Sequence, residues 1–599
     1  MEVTEKIAAL QSLMAEQGMD AYIVPTADFH QSEYVGEHFM ARAFLTGFTG
    51  SAGTAVVTRT KSYLWTDGRY FLQAAAQLEG SGIILMKSGE EGVPEIAELL
   101  EKELGDGAVI GFDGRTVGIR QGREYEEIAR RKGGKIICQE DLVDKIWQNR
   151  PPLPQNPAFS LDVRYAGEDV SSKLKRVREK MEEYQASALL LTGLDDIGWM
   201  LNIRGRDVEY FPLLLSYAVV TMDGVELYVD ARKLDSSIKK HLLHNCIQVH
   251  NYDSIYGRMK KFTKDERIWL DEAQVNYALS QNLAPDVPVV IGENPLILMK
   301  AVKNDVEVEN IRKAHLKDGV AHTKFMYWLK QNVGKIQITE MSASEKLEEL
   351  RAEQGDFISP SFGPISAYKE HAAIVHYSSS PETNVELKPE GLFLTDTGGN
   401  YFQGSTDITR TVALGPVTDE ERAHFTTVVA SMLNLADVVF LHGATGMNLD
   451  YAAREPFWRQ RLNYNHGTGH GVGYLGNIHE PPQRFMWKPP VNGSAAPALE
   501  KNMVITDEPG IYIEGSHGIR IENELLVCED EKNKYGQFMR FEHLTFVPID
   551  LDALEPGLLT ERELGLLNAY HGQVYEKISP YLDEEERGWL KTYTREVTV

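Results

Sequence analysis

Five short motifs in the last third of the chain each set one potential metal-ligating side chain among strand-forming residues. A fold that uses them has to bring all five together. They are Asp396 in Leu-Thr-Asp-Thr-Gly-Gly, Asp407 in Ser-Thr-Asp-Ile-Thr-Arg-Thr, His470 in His-Gly-Thr-Gly-His-Gly-Val-Gly, Glu508 in Thr-Asp-Glu-Pro-Gly and Glu522 in Ile-Arg-Ile-Glu-Asn. Gly398, Gly399 and Gly404 lie between the two aspartates. They predict two β-strands joined by a hairpin, with both carboxylates on one face of a sheet. Pro509-Gly510, Gly515 and Gly518 predict a second pair of strands around a turn between Glu508 and Glu522. A single carboxylate in a strand ordinarily faces solvent. Four on inward-facing positions would repel one another unless cations sat between them. Four carboxylates and one imidazole form an oxygen-rich donor set. It suits two divalent cations better than a single tetrahedral zinc.

His466 and His470 share a run rich in glycine. Glycines there let a substrate or a neighbouring backbone come close, and a flexible loop with incidental histidines is the plainer alternative. A phosphate-cradling loop does not fit, because no Lys-Ser/Thr follows.

The chain of 599 residues is too long for one hydrophobic core, so several domains are expected. Its net charge of −26 argues against nucleic acid as a partner. Cys138, Cys246 and Cys528 form no CxxC pair, which fits a reducing compartment. The N-terminus lacks the basic segment and apolar run of a signal peptide. No stretch approaches the roughly 20 apolar residues of a membrane span. A cytoplasmic protein without membrane attachment is expected.

Two segments repeat a pattern. The first passes through Ala21-Tyr-Ile-Val-Pro, Ala55-Val-Val and Leu64-Trp-Thr-Asp-Gly-Arg-Tyr. The second passes through Ala188-Leu-Leu-Leu-Thr, Ala218-Val-Val and Leu227-Tyr-Val-Asp-Ala-Arg. Each follows a charged helical stretch and reads as helix, buried strand, loop, strand, strand, then helices, an α/β pattern occurring twice. The Pro-rich piece from Arg150 is the expected linker. Domain limits are expected at 1–150, 151–303 and 304–599. A long helix carrying Val306, Ile311, Ala314, Val320, Ala321, Phe325 and Trp328 at helical spacing opens the third. The tail from about 548 reads as an appended cap or interface element.

Together the motifs resemble the metallopeptidase family with the pita-bread fold, which includes methionine aminopeptidase, prolidase and aminopeptidase P. Ser51-Ala-Gly-Thr-Ala, Trp65-Thr-Asp-Gly-Arg-Tyr-Phe-Leu-Gln, Leu142-Val-Asp-Lys-Ile-Trp, Lys300-Ala-Val-Lys-Asn and Ala372-Ala-Ile-Val-His-Tyr extend the resemblance over nearly the whole chain. It is nearest to the long, three-domain, cytosolic aminopeptidase P (Xaa-Pro aminopeptidase) type. The fold so implied is α/β: two creatinase-like N-terminal domains, then an α+β pita-bread catalytic domain.

The resemblance implies cleavage of the N-terminal Xaa-Pro bond of peptides by a hydroxide bridging two divalent ions. These are usually two Mn²⁺ per subunit, with zinc or cobalt as other options. Asp396, Asp407, His470, Glu508 and Glu522 would hold the ions, with Asp407 and Glu522 bridging. Glu508, His376 and His479 would be catalytic. His376, His466 and His479 would line the substrate, and Arg520 would support the ligand shell. A homodimer is implied, with the N-terminal domain carrying His30 and Arg69 able to reach a partner. Both residues also fit a plain structural role.

Pro481, in His-Glu-Pro-Pro, and the stretch Phe362-Gly-Pro-Ile-Ser-Ala-Tyr-Lys-Glu-His depart from the usual family pattern, but neither removes a ligand. Two other readings remain. A prolidase would cleave only Xaa-Pro dipeptides, but prolidases usually lack one of the repeated domains and the tail. A metal-free binding module would have lost ligand positions that are all present here.

Overall fold

The computed structural model describes residues 1–489 and 496–598. The chain divides into two compact units, Met1–Leu161 with Glu168–Leu296, and Asp162–Gly167 with Ile297–Val599.

The first unit holds two six-stranded sheets of one topology. Strands β1 (Ala21–Pro25), β2 (Thr54–Thr58), β3 (Ser62–Thr66), β4 (Ile84–Lys87), β5 (Val109–Phe112) and β6 (Lys135–Ile137) lie in the order β4-β3-β2-β1-β5-β6. Strands β7 (Ala188–Leu191), β8 (Ser216–Thr221), β9 (Val225–Val229), β10 (Ile247–His250), β11 (Ile268–Leu270) and β12 (Val289–Ile291) follow as β10-β9-β8-β7-β11-β12. The expected repeat is thus present strand for strand. In each sheet the first three strands form an antiparallel meander. The others join in parallel. Parallel joins need crossovers, and the intervening helices supply them. Covered on both faces, β3 and β7 read as continuous rather than alternating apolar runs. Helices α1 (Val3–Glu16) and α2 (Val170–Glu183) precede the two sheets.

His30 is 2% exposed. Its Nδ1 lies 3.0 Å from the Thr192 carbonyl and its Nε2 2.6 Å from the Tyr252 hydroxyl, so its ring ties the two sheet domains together. Arg69 pairs with Asp67 at 2.8 Å and Glu33 at 3.6 Å. Both occupy structural positions within this unit.

The second unit opens with α3 (Asp305–Asn332), started by a capping box in which Asn304 accepts from the Val306 and Glu307 amides. Ile311, Ala314, Val320, Ala321 and Phe325 are buried as the spacing predicts, whereas Val306 in the first turn is 41% exposed. Next come α4 (Glu340–Ala352), β13 (Ile365–Tyr368), β14 (Leu392–Thr397), β15 (Gly399–Tyr401), β16 (Gly404–Ser405), β17 (Ile408–Ala413) and α5 (Asp419–Ala436). Strands β13, β14 and β17 form one antiparallel sheet.

A second sheet contains β18 (Gly469–Gly471), β19 (Glu480–Phe485), β20 (Val504–Asp507), β23 (Asn523–Asn533) and β24 (Gly536–His543), while β21 (Gly510–Ile513) pairs with β22 (His517–Arg520) as a hairpin. The C-terminal helices α6 (Glu561–Ile578) and α7 (Glu584–Tyr593) are not an appended cap. Leu567, Val574, Ile578 and Leu590 share one core cluster with Phe425, Val428 and Val429 of α5. The apolar face of that tail is therefore part of the domain interior.

Candidate metal centre

Asp396 lies on β14 opposite Thr409 of β17. Side chains alternate along a strand, so Asp407, Thr409 and Thr411 share the face of Asp396. The predicted hairpin geometry holds, with β15 and β16 forming a smaller hairpin between the two aspartates. His470 sits on β18. Glu508 directly follows β20, and Glu522 lies in the two-residue step between β22 and β23.

The glycines around His470 serve strand packing. A Cβ at Gly469 would come within 1.8 Å of the Thr506 carbonyl, so the backbones of β18 and β20 meet without side chains between them.

Asp407, His470 and Glu522 each present a ligand atom, and these atoms lie within 4.8 Å of one another. The Nε2 of His470 is 3.4 Å from Glu508 Oε1 and 3.6 Å from Asp407 Oδ2. Its Nδ1 faces the Gly471 carbonyl at 2.9 Å. A proton held there leaves the Nε2 lone pair directed at the carboxylates, as a metal ligand requires. Asp396 joins through Arg520, whose Nη2 donates to its Oδ2 at 2.5 Å. The other oxygen, Oδ1, is buried with no hydrogen-bond partner among the described residues.

The electrostatics agree with cation binding. Burial, reinforced by Asp396 and Glu508, raises the Asp407 carboxyl well above the carboxylate range. Burial and Asp407 do the same to Glu522. Burial pushes Glu508 up to about 7, with Arg520 opposing and Asp396 adding. An inward-facing, mutually repelling carboxylate set with an imidazole and an orphaned oxygen fits divalent ions well.

His466, His479 and Arg520 also converge here. The His479 ring meets the His470 ring edge-on at 4.2 Å. The Tyr512 hydroxyl accepts from Arg520 Nη1 at 2.7 Å and lies 2.8 Å from His466 Nε2. His466 Nδ1 is 2.7 Å from the Gly467 carbonyl, so both ring nitrogens are held. His376 is half-buried, and the carbonyl of its neighbour Val375 accepts from Arg520 Nη2 at 3.4 Å. Pro481 is exposed, while Glu480 beside it is buried and paired with Lys303.

Several contributors were missed from sequence. Thr409 donates to Glu522 Oε2 at 2.7 Å. Glu524 Oε1 accepts from the Asp407 amide at 2.7 Å, and its Oε2 lies 3.1 Å from His315 Nε2. Arg410 is buried, and its guanidinium donates to the carbonyls of Glu522 (2.7 Å), Thr409 (2.8 Å), Val547 (2.9 Å) and Pro548 (3.2 Å). It also donates to Asn523 Oδ1 and the Tyr570 hydroxyl, both at 2.8 Å. Thr409 had a signal, because it stands two positions from Asp407 on a predicted strand. Tyr512, Glu524 and Arg410 act through folded neighbours distant in sequence.

Comparison with known proteins places this site. The description "Creatinase/Prolidase N-terminal domain" matches residues 6–146 and again 149–307. "Metallopeptidase family M24" matches 309–529, and the C-terminal region of the same peptidase family matches 537–597. Aminopeptidase P1 of Lotus japonicus is 36% identical over 663 residues, covering 99% of each chain. The crystal structure of X-prolyl aminopeptidase from Caenorhabditis elegans, described as a cytosolic enzyme with a di-nuclear active site, superposes with a TM-score of 0.95. It is 33% identical, with all of both chains covered. Xaa-Pro dipeptidase from Bacillus anthracis shares the fold at a TM-score of 0.51 and 23% identity, but covers only 64% of this chain. The two-sheet catalytic unit with its carboxylate and histidine cluster is that of a metallopeptidase. The chain belongs to metallopeptidase family M24, in its full-length aminopeptidase P branch.

Proposed function

We propose that this chain removes the N-terminal residue from peptides with proline in second position, using two divalent ions held by Asp396, Asp407, His470, Glu508 and Glu522. The observation that carries the reading is the cluster of Asp407, His470 and Glu522, with Glu508 beside His470, in a chain aligned end to end with aminopeptidase P relatives. When bound, two such ions supply a water acidified to near-neutral pKa and Lewis-acid polarisation of a carbonyl.

The remaining work falls to the protein. Glu508 takes the proton of the attacking water and delivers it to the departing proline nitrogen. That nitrogen belongs to a tertiary amide without hydrogen, so protonation of the leaving group is essential. His376 and His479 donate to the oxyanion that develops on the first carbonyl. His466, held by Tyr512, borders the proline ring. Arg520 holds Asp396 and Tyr512 together, coupling the metal wall to the substrate wall. The free α-amino group of the substrate lies near the carboxylates, which limits cleavage to the N-terminus.

Manganese is our choice of ion, on the oxygen-rich donor set. Domain limits are proposed at 1–150, 151–303 and 304–599, beside family matches over 6–146, 149–307 and 309–529. A cytoplasmic location accords with the cytosolic relative, and among the described residues no helix is long and apolar enough to cross a membrane. A homodimer is proposed because exposed aromatics cluster on the second unit. Trp458 (36% exposed) and Trp487 (45%) have ring centroids 5.8 Å apart, and Tyr451 lies 5.9 Å from Trp458.

The test is hydrolysis of an Xaa-Pro-Xaa tripeptide by metal-stripped protein, with and without added Mn²⁺. Manganese-dependent release of the first residue alone supports the reading. Cleavage of Xaa-Pro dipeptides but not tripeptides would make the chain a prolidase, and absence of metal binding would overturn the ligand set.

A further inference from the structure

His376 follows the stretch Phe362–His371 that departs from the family pattern, and a buried cluster holds the chain on either side of it. Glu340, at the first position of α4, is fully buried, yet its carboxylate receives four donors. Oε1 accepts from the Tyr368 amide at 2.8 Å and lies 2.8 Å from His371 Nδ1. Oε2 accepts from the Tyr377 hydroxyl at 3.0 Å and the Val385 amide at 3.4 Å. The start of a helix is a favourable place for such a charge. The His371 and Tyr377 rings stack, with centroids 4.5 Å apart and planes inclined by 29°. The hydrogen bond to Glu340 also raises the His371 pKa, against the effect of burial, which strengthens the pair.

The other side of the segment is equally constrained. Residues Lys369–Ala373 form a short 3₁₀ turn lying flush on β22, where a Cβ at Gly518 would come within 1.7 Å of the Ala372 carbonyl. The Val375 carbonyl receives Arg520, which also holds Asp396. His376 therefore sits between two anchors. Val375 is tied to the metal wall, and Tyr377 is tied to the buried Glu340. Among the described residues, the hydrogen bonds of Glu340, His371 and Tyr377 do not reach the five ligands.

We propose that Glu340, His371 and Tyr377 are positioning residues for His376, fixing the segment that carries it and so setting how well the first carbonyl of the substrate is polarised. The inference rests on the reading of His376 as an oxyanion donor. A small displacement of such a donor is felt in the transition state rather than in binding.

The experiment compares His371→Ala, His371→Gln and Tyr377→Phe with wild type and His376→Ala. Each is Mn²⁺-loaded, with metal content and melting temperature measured, on one Xaa-Pro-Xaa peptide. His371→Ala and Tyr377→Phe should lower kcat about 10-fold with KM little changed and metal content intact. His371→Gln, which keeps an N–H donor to Glu340, should recover most of that loss. Lowered melting temperatures with wild-type kcat per metal-loaded enzyme would overturn the proposal and leave a structural role. Equal loss in His371→Gln and His371→Ala would also overturn it. If His376→Ala itself keeps full kcat, the reading of His376 has failed, and the proposal falls with it.

Discussion

Tyr570→Phe tests whether the C-terminal tail braces the metal centre, because it removes one buried hydroxyl and little else. Tyr570 is 1% exposed. Its oxygen accepts from Arg410 Nη2 at 2.8 Å and from the Val547 amide at 3.3 Å, and it lies 2.9 Å from the Val547 carbonyl as donor. A hydrogen bond to a charged group contributes ~1.5–3 kcal/mol, and an ordinary one about 1 kcal/mol. Arg410 Nη2 keeps Asn523 Oδ1 and the Val547 carbonyl as acceptors, so the lower end applies to the first bond. With the stranded Val547 amide added, the expected loss is about 2–3 kcal/mol. For a large domain this is a fall in melting temperature of roughly 4–12 °C. Urea and thermal unfolding of the metal-free protein provide the assay, since bound metal would mask the change by mass action. Weaker metal binding should accompany the loss, because the same guanidinium holds the Glu522 carbonyl. A change below about 0.5 kcal/mol, the range of an ordinary surface substitution, would refute the brace.

Further outcomes follow from other parts of the molecule. Glu508→Gln, compared with wild type at equal metal content by elemental analysis, should lose about 10³-fold in kcat, and substantial residual turnover would remove Glu508 from proton transfer. Burial lowers the His30 pKa from 6.5 to about 4. The unfolded chain therefore takes up this proton first, and the first unit should lose up to about 3 kcal/mol as pH falls from 6.5 towards 4. His30→Gln should flatten that part of the urea-midpoint profile, and an unchanged slope would show that other groups dominate it. Trp458→Glu should shift sedimentation from dimer to monomer, and an unaltered dimer would place the contact elsewhere.

Much of this molecule could be read directly from its residues. The five ligand candidates were legible because each lies in a short strand-like motif with glycine or threonine neighbours, and a strand period of two places Asp407 on the face of Asp396. The repeated α/β segments were legible because buried strands leave continuous apolar runs. What could not be read acts across long loops. Glu524 supports Asp407 through its backbone amide, and Tyr512 joins His466 to Arg520 with no local signature. The tail looked like a cap because its charge is spread along helices whose apolar stripe is short. Its role emerges only when Leu567 and Val574 pack beside α5 and Tyr570 reaches Arg410. Val306 follows the apolar spacing yet is exposed, so the helical period alone does not mark which residues of the first turn are covered.

The Arg410 brace also orders events during synthesis. Asp396 emerges first of the five ligands and Glu522 last, but the guanidinium that grips the Glu522 carbonyl gains its last acceptor only when Tyr570 arrives. Chains fold from the N-terminus as they are made. A partly made chain thus carries all five candidate ligands before the Tyr570 hydroxyl can reach Arg410, and the last bond of the brace forms only after that stretch of the tail has been made.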